Sequence, residues 1–211
     1  MTHACEPTVF LVDDDPAVRQ SMAALTRSLH KPLAVFTSAD EFLQQFNPLQ
    51  PGCLVVEIRL PGMSGLELLE KLHRDGVSLA SIAVAADAAV SASVRAMRAG
   101  AITFLAKPIG EQQLWDALAE ALERDAEFRR RQTQIERIRR RMERLTEGEG
   151  DVLERLLAGK LNREIAESLE ISVRTVEVRR AKVMEKMKAS SMPEMLRDVI
   201  LLEIFSDKKP Q

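Results

Sequence analysis

The chain has 211 residues, a formal net charge of -2 and 45% hydrophobic residues, which suits two domains that each bury a core. No apolar run approaches the roughly 20 residues that span a bilayer, and the first residues lack the charged and apolar regions of a signal peptide. We therefore exclude a membrane protein and expect a cytoplasmic one.

Charge is distributed unevenly along the chain. Residues 1–123 carry 9 basic and 15 acidic side chains, residues 126–145 carry 8 and 3, and residues 146–211 carry 12 and 13. An acidic first part, a basic connector and a nearly neutral last part therefore follow one another. The overall charge consequently says little about partners.

The first part alternates short apolar runs with amphipathic segments, which is typical of a parallel sheet covered by helices. The predicted strands are TVFLV (8–12), LAVF (33–36), CLVV (53–56), SIAV (81–84) and TFL (103–105). Helices are predicted after Asp15, Ser38 and Ser64, from Ala88 to Arg98, and from near Glu111. Five such units predict a flavodoxin-like α/β fold with strand order 2-1-3-4-5, whose active edge lies at the strand carboxyl ends.

The fifth helix shows no stop signal until about Gly148. Apolar residues at heptad spacing favour a short coiled-coil seam; they are Phe128, Ile135, Ile138, Met142 and Leu145. Arg124 and Arg131 interrupt the seam further up, so a solvated spacer helix is the alternative. We interpret the arginine runs of this segment as a solvated face, with an auxiliary contact to DNA as the other interpretation.

Four shorter amphipathic segments follow the long helix. They span residues 149–157, 162–169, 173–187 and 193 to about 204. Tight turns between such segments predict a small helical bundle. We expect the last residues, SDKKPQ, to be disordered.

Charged residues follow several of the predicted strands. In chain order they are Asp13, Asp14 and Asp15, then Glu57, then Lys107 before Pro108. These strand ends meet in one crevice, and clustered carboxylates suit a hard divalent ion such as Mg²⁺. Lys107 could neutralise a phosphoryl group or pair with a carboxylate. The alternative is that the aspartates only cap the first helix and that Lys107 is a surface residue.

Several motifs in order carry a family resemblance: VFLVDDDPAVRQSMAALTRSL, RLPGMSGLELLEKL, SVRAMRAGAITFLAKPI and the later helical part. They resemble the FixJ-type response regulators of two-component systems over nearly the whole chain. On this basis we expect a receiver domain at 1–123, a helical linker at 124–145 and a DNA-binding domain at 146–205. We expect no enzyme, because no activated nucleophile or cofactor loop accompanies the carboxylates.

The resemblance implies roles for the pocket residues. Asp13 and Asp14 would hold Mg²⁺, an aspartate at position 57 would accept a phosphoryl group from a sensor kinase, and Lys107 would contact that phosphate. A hydroxyl residue at position 85 and an aromatic residue at position 104 would relay the change. The chain has Phe104 but carries Glu57 and Ala85 instead of the expected types. Asp13, Asp14 and Glu57 are therefore the candidate Mg²⁺ ligands, although no cofactor is expected to be required.

The loop after position 85 departs from the family as well. The family's Gly, His and Gly appear as Ala86, Asp87 and Ala88. Loss of two glycines predicts a stiffer loop, and Asp87 adds an acid near the crevice.

Three explanations compete for Glu57. It could mimic a phosphate with one standing negative charge near Lys107, mark a decayed site in a domain kept for dimerisation or partner binding, or replace an original aspartate by engineering. Ala85 argues against engineering alone, because one substitution would be enough. A carboxylate displaced by about 1 Å can cost on the order of a hundredfold in rate. We therefore expect a phosphorylation-independent receiver, with a kinase-responsive one as the alternative.

The segment LTEGEGDVLERLLAGKLNREIAESLEISVRTVEVRRAKVMEKM resembles the LuxR/NarL-type helix-turn-helix. Ser172 is expected to cap a recognition helix that enters the major groove. Candidates for base contacts on its outer face are Arg174, Glu177, Arg180 and Ala181, with Val178 beside them. Candidates for phosphate contacts are Asn162, Arg163, Thr175, Arg179 and Lys182, of which Arg179 stands where the family commonly has His. The alternative is a solvated basic helix in a protein-binding bundle.

Together these features predict a sequence-specific transcription regulator with an atypical receiver. The expected partners are double-stranded DNA, a second copy of the chain on an adjacent half-site, and a sensor kinase or another protein at the receiver. No membrane partner is expected. A signalling adaptor that acts through the receiver surface is the alternative from a different class.

Overall fold

The structure is a computed structural model that describes residues 6–86 and 90–206. Its contacts divide the chain into two compact units, Met1–Arg129 and Arg130–Gln211, and each is described by itself. The predicted linker, 124–145, is shared between the two units, and the boundaries at 123 and 145 stay predictions. Within the described part of the chain, none of the helices combines the length and apolar character needed to cross a bilayer.

The first unit contains a parallel sheet of five strands. These are β1 (Thr8–Val12), β2 (Leu33–Phe36), β3 (Gly52–Glu57), β4 (Ala80–Ala85) and β5 (Ala101–Ala106). Their order is β2-β1-β3-β4-β5, which confirms the predicted fold class and strand order. The register places Val12 beside Val56 and Glu57 beside Val84, so the carboxyl ends of the central strands align at one edge.

Helices α1 (Pro16–Ser28), α2 (Ala39–Gln45), α3 (Gly65–Arg74) and α4 (Val90–Arg98) and the first part of α5 (Glu111–Met142) complete this unit. The predicted caps form: the Asp15 side chain accepts from the Ala17 N–H, Ser38 accepts from the Glu41 N–H, and Ser64 with Glu67 makes a capping box. The predicted start of the fourth helix at Ala88 and the neighbouring Asp87 lie outside the described residues.

Successive side chains along each strand point to opposite faces of the sheet, so two cores form, one on each face. Phe10 and Val12 pack with residues of α2, α3 and α4 on one face. Val9 and Leu11 pack with residues of α1 and the first half of α5 on the other. The sheet is therefore buried on both faces, and its functional groups must come from its edges.

Asp125, 3% exposed, attaches α5 to the loop before β3. Its Oδ2 accepts from the Gly52 N–H at 3.0 Å, and both of its carboxylate oxygens accept from Arg129 Nε. Arg129 in turn donates to the Leu49 carbonyl at 2.9 Å and the Gln50 carbonyl at 2.6 Å.

Burial, and secondarily the charge of Asp125, raises the pKa of the Cys53 thiol to about 12, so this cysteine stays protonated and inert.

The prediction that α5 continues to about Gly148 is wrong, because the helix ends at Met142. Thr146 and Glu149 form a capping box that starts the next helix at Glu147, two residues before the predicted start. The second unit continues with α6 (Glu147–Leu157), α7 (Asn162–Ser168), α8 (Val173–Met187) and α9 (Met192–Ser206). The predicted disordered end lies largely outside the described residues, since the description stops at 206.

The last turns of α5 belong to the core of the second unit. Ile138, 1% exposed, packs in a cluster with Val152 and Ile165, and Met142 and Leu145 pack against the same cluster. Three of the five predicted seam positions are therefore used within this unit. A coiled-coil seam that included them would have to remove them from that core.

Two ion pairs connect the parts of the second unit. Lys186 on α8 lies 2.5 Å from the buried carboxylate of Glu149 and donates to the Arg144 carbonyl. Arg141 on α5 donates to the Met187 carbonyl at 3.0 Å and lies 3.8 Å from Asp198 on α9. The carboxyl end of α8 is therefore held by α5, by the first turn of α6 and by the residues between them.

We expect Asp125→Ala to lower the free energy of unfolding by about 2–4 kcal/mol, because it leaves the Gly52 N–H and the Arg129 guanidinium without their acceptor. Asp125→Asn retains an acceptor and should cost less. Urea denaturation measures both, with the exposed Glu127→Ala as a control. A loss for Asp125→Ala no larger than that of the control would show that the contact does not stabilise the fold.

Glu149 should make the second unit sensitive to acid. The hydrogen bond from Lys186, followed by that from the Thr146 N–H, lowers the pKa of Glu149 from 4.5. Because the folded pKa is depressed, the stabilisation is present above 4.5 and is lost as pH falls through the lower folded value. Glu149→Gln should cost about 1–2 kcal/mol at neutral pH and should flatten this acid limb.

Urea denaturation at a series of pH values measures the effect of Glu149→Gln. Glu154→Gln is the matched control, because Glu154 is an exposed residue on the same helix. If the free energy of unfolding fell equally at low pH in wild type and in Glu149→Gln, the assignment to Glu149 would be contradicted.

Candidate functional site

Three strand ends bring charged side chains together at one edge of the sheet. Asp13 follows β1, Glu57 is the last residue of β3, and Lys107 follows β5. Asp13 is 1% exposed and Glu57 5% exposed. Lys107 Nζ lies 2.9 Å from Asp13 Oδ2 and 2.6 Å from Glu57 Oε2. One ammonium group therefore bridges two buried carboxylates.

Backbone groups hold the other carboxylate oxygens. Asp13 Oδ1 accepts from the Asp15 N–H at 2.8 Å, and Glu57 Oε1 accepts from the Arg59 N–H at 3.1 Å. Among the described residues, Glu57 Oε2 accepts no bond of hydrogen-bond geometry, so its contact with Lys107 is an ion pair. Both carboxylates are thus oriented by the chain that follows them, with one oxygen of each directed at Lys107.

The two carboxylates stabilise the protonated form of Lys107. Burial alone would lower the pKa of Lys107, but the contacts with Glu57 and Asp13 outweigh it and raise the pKa above its ordinary value of 10.5. Because the pKa is raised, the stabilisation is present at neutral pH and is lost only as pH rises through the higher folded value. Lys107 therefore acts as a permanent cation in the pocket.

The residues that would relay a phosphate signal lie close by. Ala85 is buried, and its carbonyl accepts from the Lys107 N–H at 2.8 Å, but its methyl side chain offers no donor. Phe104 is half-buried and packs against the core on the α3 and α4 face. The inward aromatic partner is thus present without the hydroxyl group that the resemblance implies.

Gly65 fixes the approach of α3 to the pocket. Its N–H donates to the Ile58 carbonyl at 2.9 Å. A Cβ at this position would lie 2.0 Å from the Glu57 carbonyl oxygen, inside backbone atoms that cannot move aside. The start of α3 therefore packs directly on Glu57, at the position where the resemblance implies a phosphoacceptor.

Asp13, Asp14 and Glu57 do not form a three-carboxylate metal site as arranged. Asp14 is exposed, and the residues described at 6–86 and 90–206 contain no group of three or more His, Cys, Asp or Glu side chains placed to hold one ion. The Lys107 ammonium stands between the two buried carboxylates. A divalent cation would have to displace it, so this arrangement does not fit Mg²⁺.

The second candidate site is the face of α8. Ile165 and Ala166 of α7 and Val176, Val183 and Met187 of α8 are buried in the core, and the Ser172 side chain accepts from the Thr175 N–H at 3.1 Å. This places a capped helix over a scaffold helix. The outer side of α8 is left facing solvent.

The predicted DNA-contacting residues separate into two groups by exposure. Exposed side chains are those of Arg163, Arg174, Glu177, Val178, Ala181 and Lys182. Half-buried side chains are those of Asn162, Thr175, Arg179 and Arg180, and each of these four makes a contact within the chain. Arg180 donates to Asn162 Oδ1 at 3.2 Å, the Thr175 and Ser172 hydroxyls lie 2.8 Å apart, and Arg179 donates to the Gly148 carbonyl at 3.4 Å.

Sequence reasoning missed several contacts that shape these sites. The Arg19 guanidinium donates to the Asp13 carbonyl at 3.1 Å, and Lys186 and Arg179 both reach the first turn of α6. The Thr146 and Glu149 spacing was a readable capping-box signal. The contacts of Lys186 and Arg179 join residues 37 and 31 positions apart and leave no local pattern.

Family models match both units. Residues 9–119 match the response regulator receiver domain, and residues 143–198 match the bacterial regulatory proteins of the luxR family. The receiver match covers the sheet and the pocket, and the second match covers the capped helix pair.

Known relatives are similar in sequence over most of the chain. The transcriptional regulatory protein FixJ of Azorhizobium caulinodans is 42% identical, with 92% of each chain covered. The response regulator protein TmoT of Ectopseudomonas mendocina is 36% identical, with 91% of this chain and 87% of that protein covered.

Two solved structures are similar over most of the chain. The response regulator StyR matches with a TM-score of 0.83 and 38% identity over 92% of this chain and 98% of that chain. Full-length FixJ from B. japonicum matches with a TM-score of 0.57 and 32% identity over 94% of this chain and 98% of that chain. The chain therefore belongs to the response regulators of two-component systems, as a transcription factor with a receiver domain and a LuxR-type DNA-binding domain.

Proposed function

We propose that this response regulator is a sequence-specific transcription regulator whose receiver works without phosphorylation. The observation that carries the proposal is the ion pair of Glu57 and Lys107 at 2.6 Å. The lysine that would meet an incoming phosphoryl group is already paired with the side chain at the acceptor position. The pocket therefore holds this contact in the absence of any phosphodonor.

The chemistry of phosphoryl transfer also disfavours Glu57 as an acceptor. An attacking carboxylate has to be in line with the donor, and a misplacement of about 1 Å can cost on the order of a hundredfold in rate. Glu57 carries one methylene more than aspartate, and its Oε1 and Oε2 are already directed at the Arg59 N–H and Lys107. Ala85 would leave an added phosphate without the hydroxyl donor of the β4 end.

The ion pair supports two of the explanations for Glu57. As a permanent mimic of phosphate, the Glu57 carboxylate keeps a negative charge next to the Lys107 ammonium and thereby maintains an active receiver. As a decayed site, it serves only to neutralise Lys107 within the fold. Glu57→Ala separates them at a temperature where the variant is folded, because loss of dimerisation or activity follows from the first and little change in either from the second.

The exposed face of α8 supports DNA recognition. Arg, Glu and small apolar side chains read guanine, cytosine and the thymine methyl in the major groove, and we assign this role to Arg174, Glu177, Val178, Arg180 and Ala181. Asn162, Arg163, Thr175 and Lys182 are assigned to phosphates, which set the register on the duplex. The FixJ relatives are transcriptional regulatory proteins by name, which supports the assignment.

A homodimer fits this function, because one such domain makes few base contacts and paired half-sites add them. On the receiver, α4 exposes Val90, Val94 and Met97 at 76%, 43% and 48%. Apolar side chains in one strip are typical of an interaction surface. We assign this strip to contact with a second copy, whereas a signalling adaptor would use it for another protein.

We expect acetyl phosphate to change the affinity of the full-length protein for DNA by less than about twofold. The probe is a duplex that wild type selects from a random-sequence pool, and fluorescence anisotropy measures the binding. Glu57→Asp combined with Ala85→Thr restores both family residues and is the control for donor response.

A tenfold or larger gain of wild-type affinity with the donor, on the order of 1.4 kcal/mol, would contradict phosphorylation independence. It would favour the kinase-responsive alternative. If no duplex is enriched while partner proteins are recovered with the full-length chain, the adaptor alternative is favoured instead.

We expect Mg²⁺ at about 10 mM to leave the thermal stability of wild type unchanged, because an ion that binds only the folded state raises stability by its binding free energy. Lys107→Met vacates the cation position and leaves Asp13 and Glu57 facing each other. This variant should be less stable than wild type and should be restabilised by Mg²⁺.

Thermal unfolding with and without the ion measures this difference, and Lys71→Met, which alters an exposed ion pair with Asp75, is the control. Equal stabilisation of wild type and Lys107→Met by Mg²⁺ would show that Lys107 does not occupy the metal position.

A further inference from the structure

The guanidinium of Arg179 on α8 lies where a side chain at Gly148 on α6 would lie. A Cβ placed on Gly148 would lie 2.7 Å from both Arg179 Cζ and Nη1, and 3.1 Å from Nη2. Real Cβ atoms do not approach other heavy atoms this closely, so the guanidinium occupies the space of a side chain at position 148. Arg179 Nη1 also donates to the Gly148 carbonyl at 3.4 Å. The arginine can occupy this place only because residue 148 is glycine.

Helical geometry places Arg179 on the inner flank of α8. At about 100° per residue, it lies about 40° around the helix from Val183 and about 20° from Lys186. Val183 is fully buried, and Lys186 reaches Glu149 in the first turn of α6. Arg179 and Lys186 therefore stand two helical turns apart on the side of α8 that faces the start of α6.

Three exposed residues of α8 lie on the opposite side of the helix. Arg174, Glu177 and Ala181 are exposed, whereas Arg179 is half-buried and engaged with a backbone carbonyl. The Gly148 carbonyl uses one donor of the Arg179 guanidinium, Nη1, so a phosphate contact made from this position would fall to the other donors. Its partner distinguishes it from the half-buried residues assigned to DNA, because Arg180 and Thr175 contact side chains whereas Arg179 contacts a backbone carbonyl of α6.

We propose that Arg179 is a positioning residue for DNA recognition and makes no phosphate contact. It packs on the first turn of α6 in the space left by Gly148 and so fixes the rotation of α8 about its axis. That rotation decides which side chains of α8 face the major groove. The DNA part of this inference rests on the proposed function, but the packing of Arg179 against Gly148 does not.

A double-mutant cycle on stability tests the packing without DNA. Gly148→Ala is made in wild type and in Arg179→Ala, and urea denaturation of the full-length chain gives the folding equilibrium constant. We expect Gly148→Ala to be less favourable in wild type by on the order of fivefold, because only there does the new methyl displace the guanidinium.

Gly150→Ala is the matched control for this cycle. Gly150 lies in the same helix, and a Cβ there would meet no atom within 4 Å. It should have the same effect with and without Arg179. Equal effects of Gly148→Ala in the two backgrounds would overturn the proposal.

Salt dependence of DNA binding tests the role. Each phosphate contact adds about 0.9 to the slope of log affinity against log salt, so Lys182→Ala should reduce the slope by about that amount. Arg179→Ala should weaken binding to the selected duplex several-fold with the slope unchanged, at a temperature where both variants are folded. Gly148→Ala should weaken it similarly, and the double variant should be no weaker than either.

A slope reduced by Arg179→Ala as much as by Lys182→Ala would overturn the positioning role. If wild type selects no duplex from the pool, the proposed function fails, while the stability cycle still decides whether Arg179 and Gly148 are coupled.

Discussion

The Lys107 ammonium between two buried carboxylates is the constraint on which the receiver pocket depends. The carboxylates of Asp13 and Glu57 lie 2.9 Å and 2.6 Å from Lys107 Nζ, and both residues are almost fully buried. Without the cation between them the two carboxylates would repel each other. Removal of one partner from such an arrangement is strongly destabilising because it leaves a buried charge uncompensated. The attraction of Lys107 to Asp13 and Glu57 therefore holds the ends of β1, β3 and β5 together, and loss of any of the three side chains leaves a buried charge without its partner.

Lys107 connects positions 57 and 85, at which the chain differs from what the family resemblance implies. A receiver that responds to phosphate needs an acceptor that is free in one state, and a hydroxyl group that reports on the phosphate. Glu57 is engaged by Lys107, and Ala85 contributes only its carbonyl to the Lys107 N–H. On the proposed function, a hydroxyl at position 85 would have no new charge to detect, because Glu57 already balances the charge of Lys107.

Much of the fold could be predicted from the sequence because local signals agree with tertiary packing. The runs at 8–12 and 33–36 are bounded by clear turn and cap residues, and they match β1 and β2. The end of α5 could not be predicted in the same way. Its last turns are rich in Arg and Glu and lack Gly and Pro, and they end where Ile138 and Met142 pack into a core formed by distant helices.

The candidate sites show the same limit. Strand order places Asp13, Glu57 and Lys107 at one edge, but their pairing depends on the length of the Glu57 side chain and on burial, which sequence does not give. Arg179 was expected to contact a phosphate because it is basic and lies on the recognition helix. Its contact with Gly148, 31 residues earlier, depends on how two helices pack.

The division of α5 between two cores restricts where the protein can be cut or recombined. A receiver fragment ending at 123 would lose Asp125 and Arg129, which hold the loop before β3. A DNA-binding fragment starting at 146 would lose Ile138 and Arg141, and with them part of its core and the donor to the end of α8. Residues 130–134 are all exposed, and this short stretch is where receivers and output domains could be exchanged without opening either core.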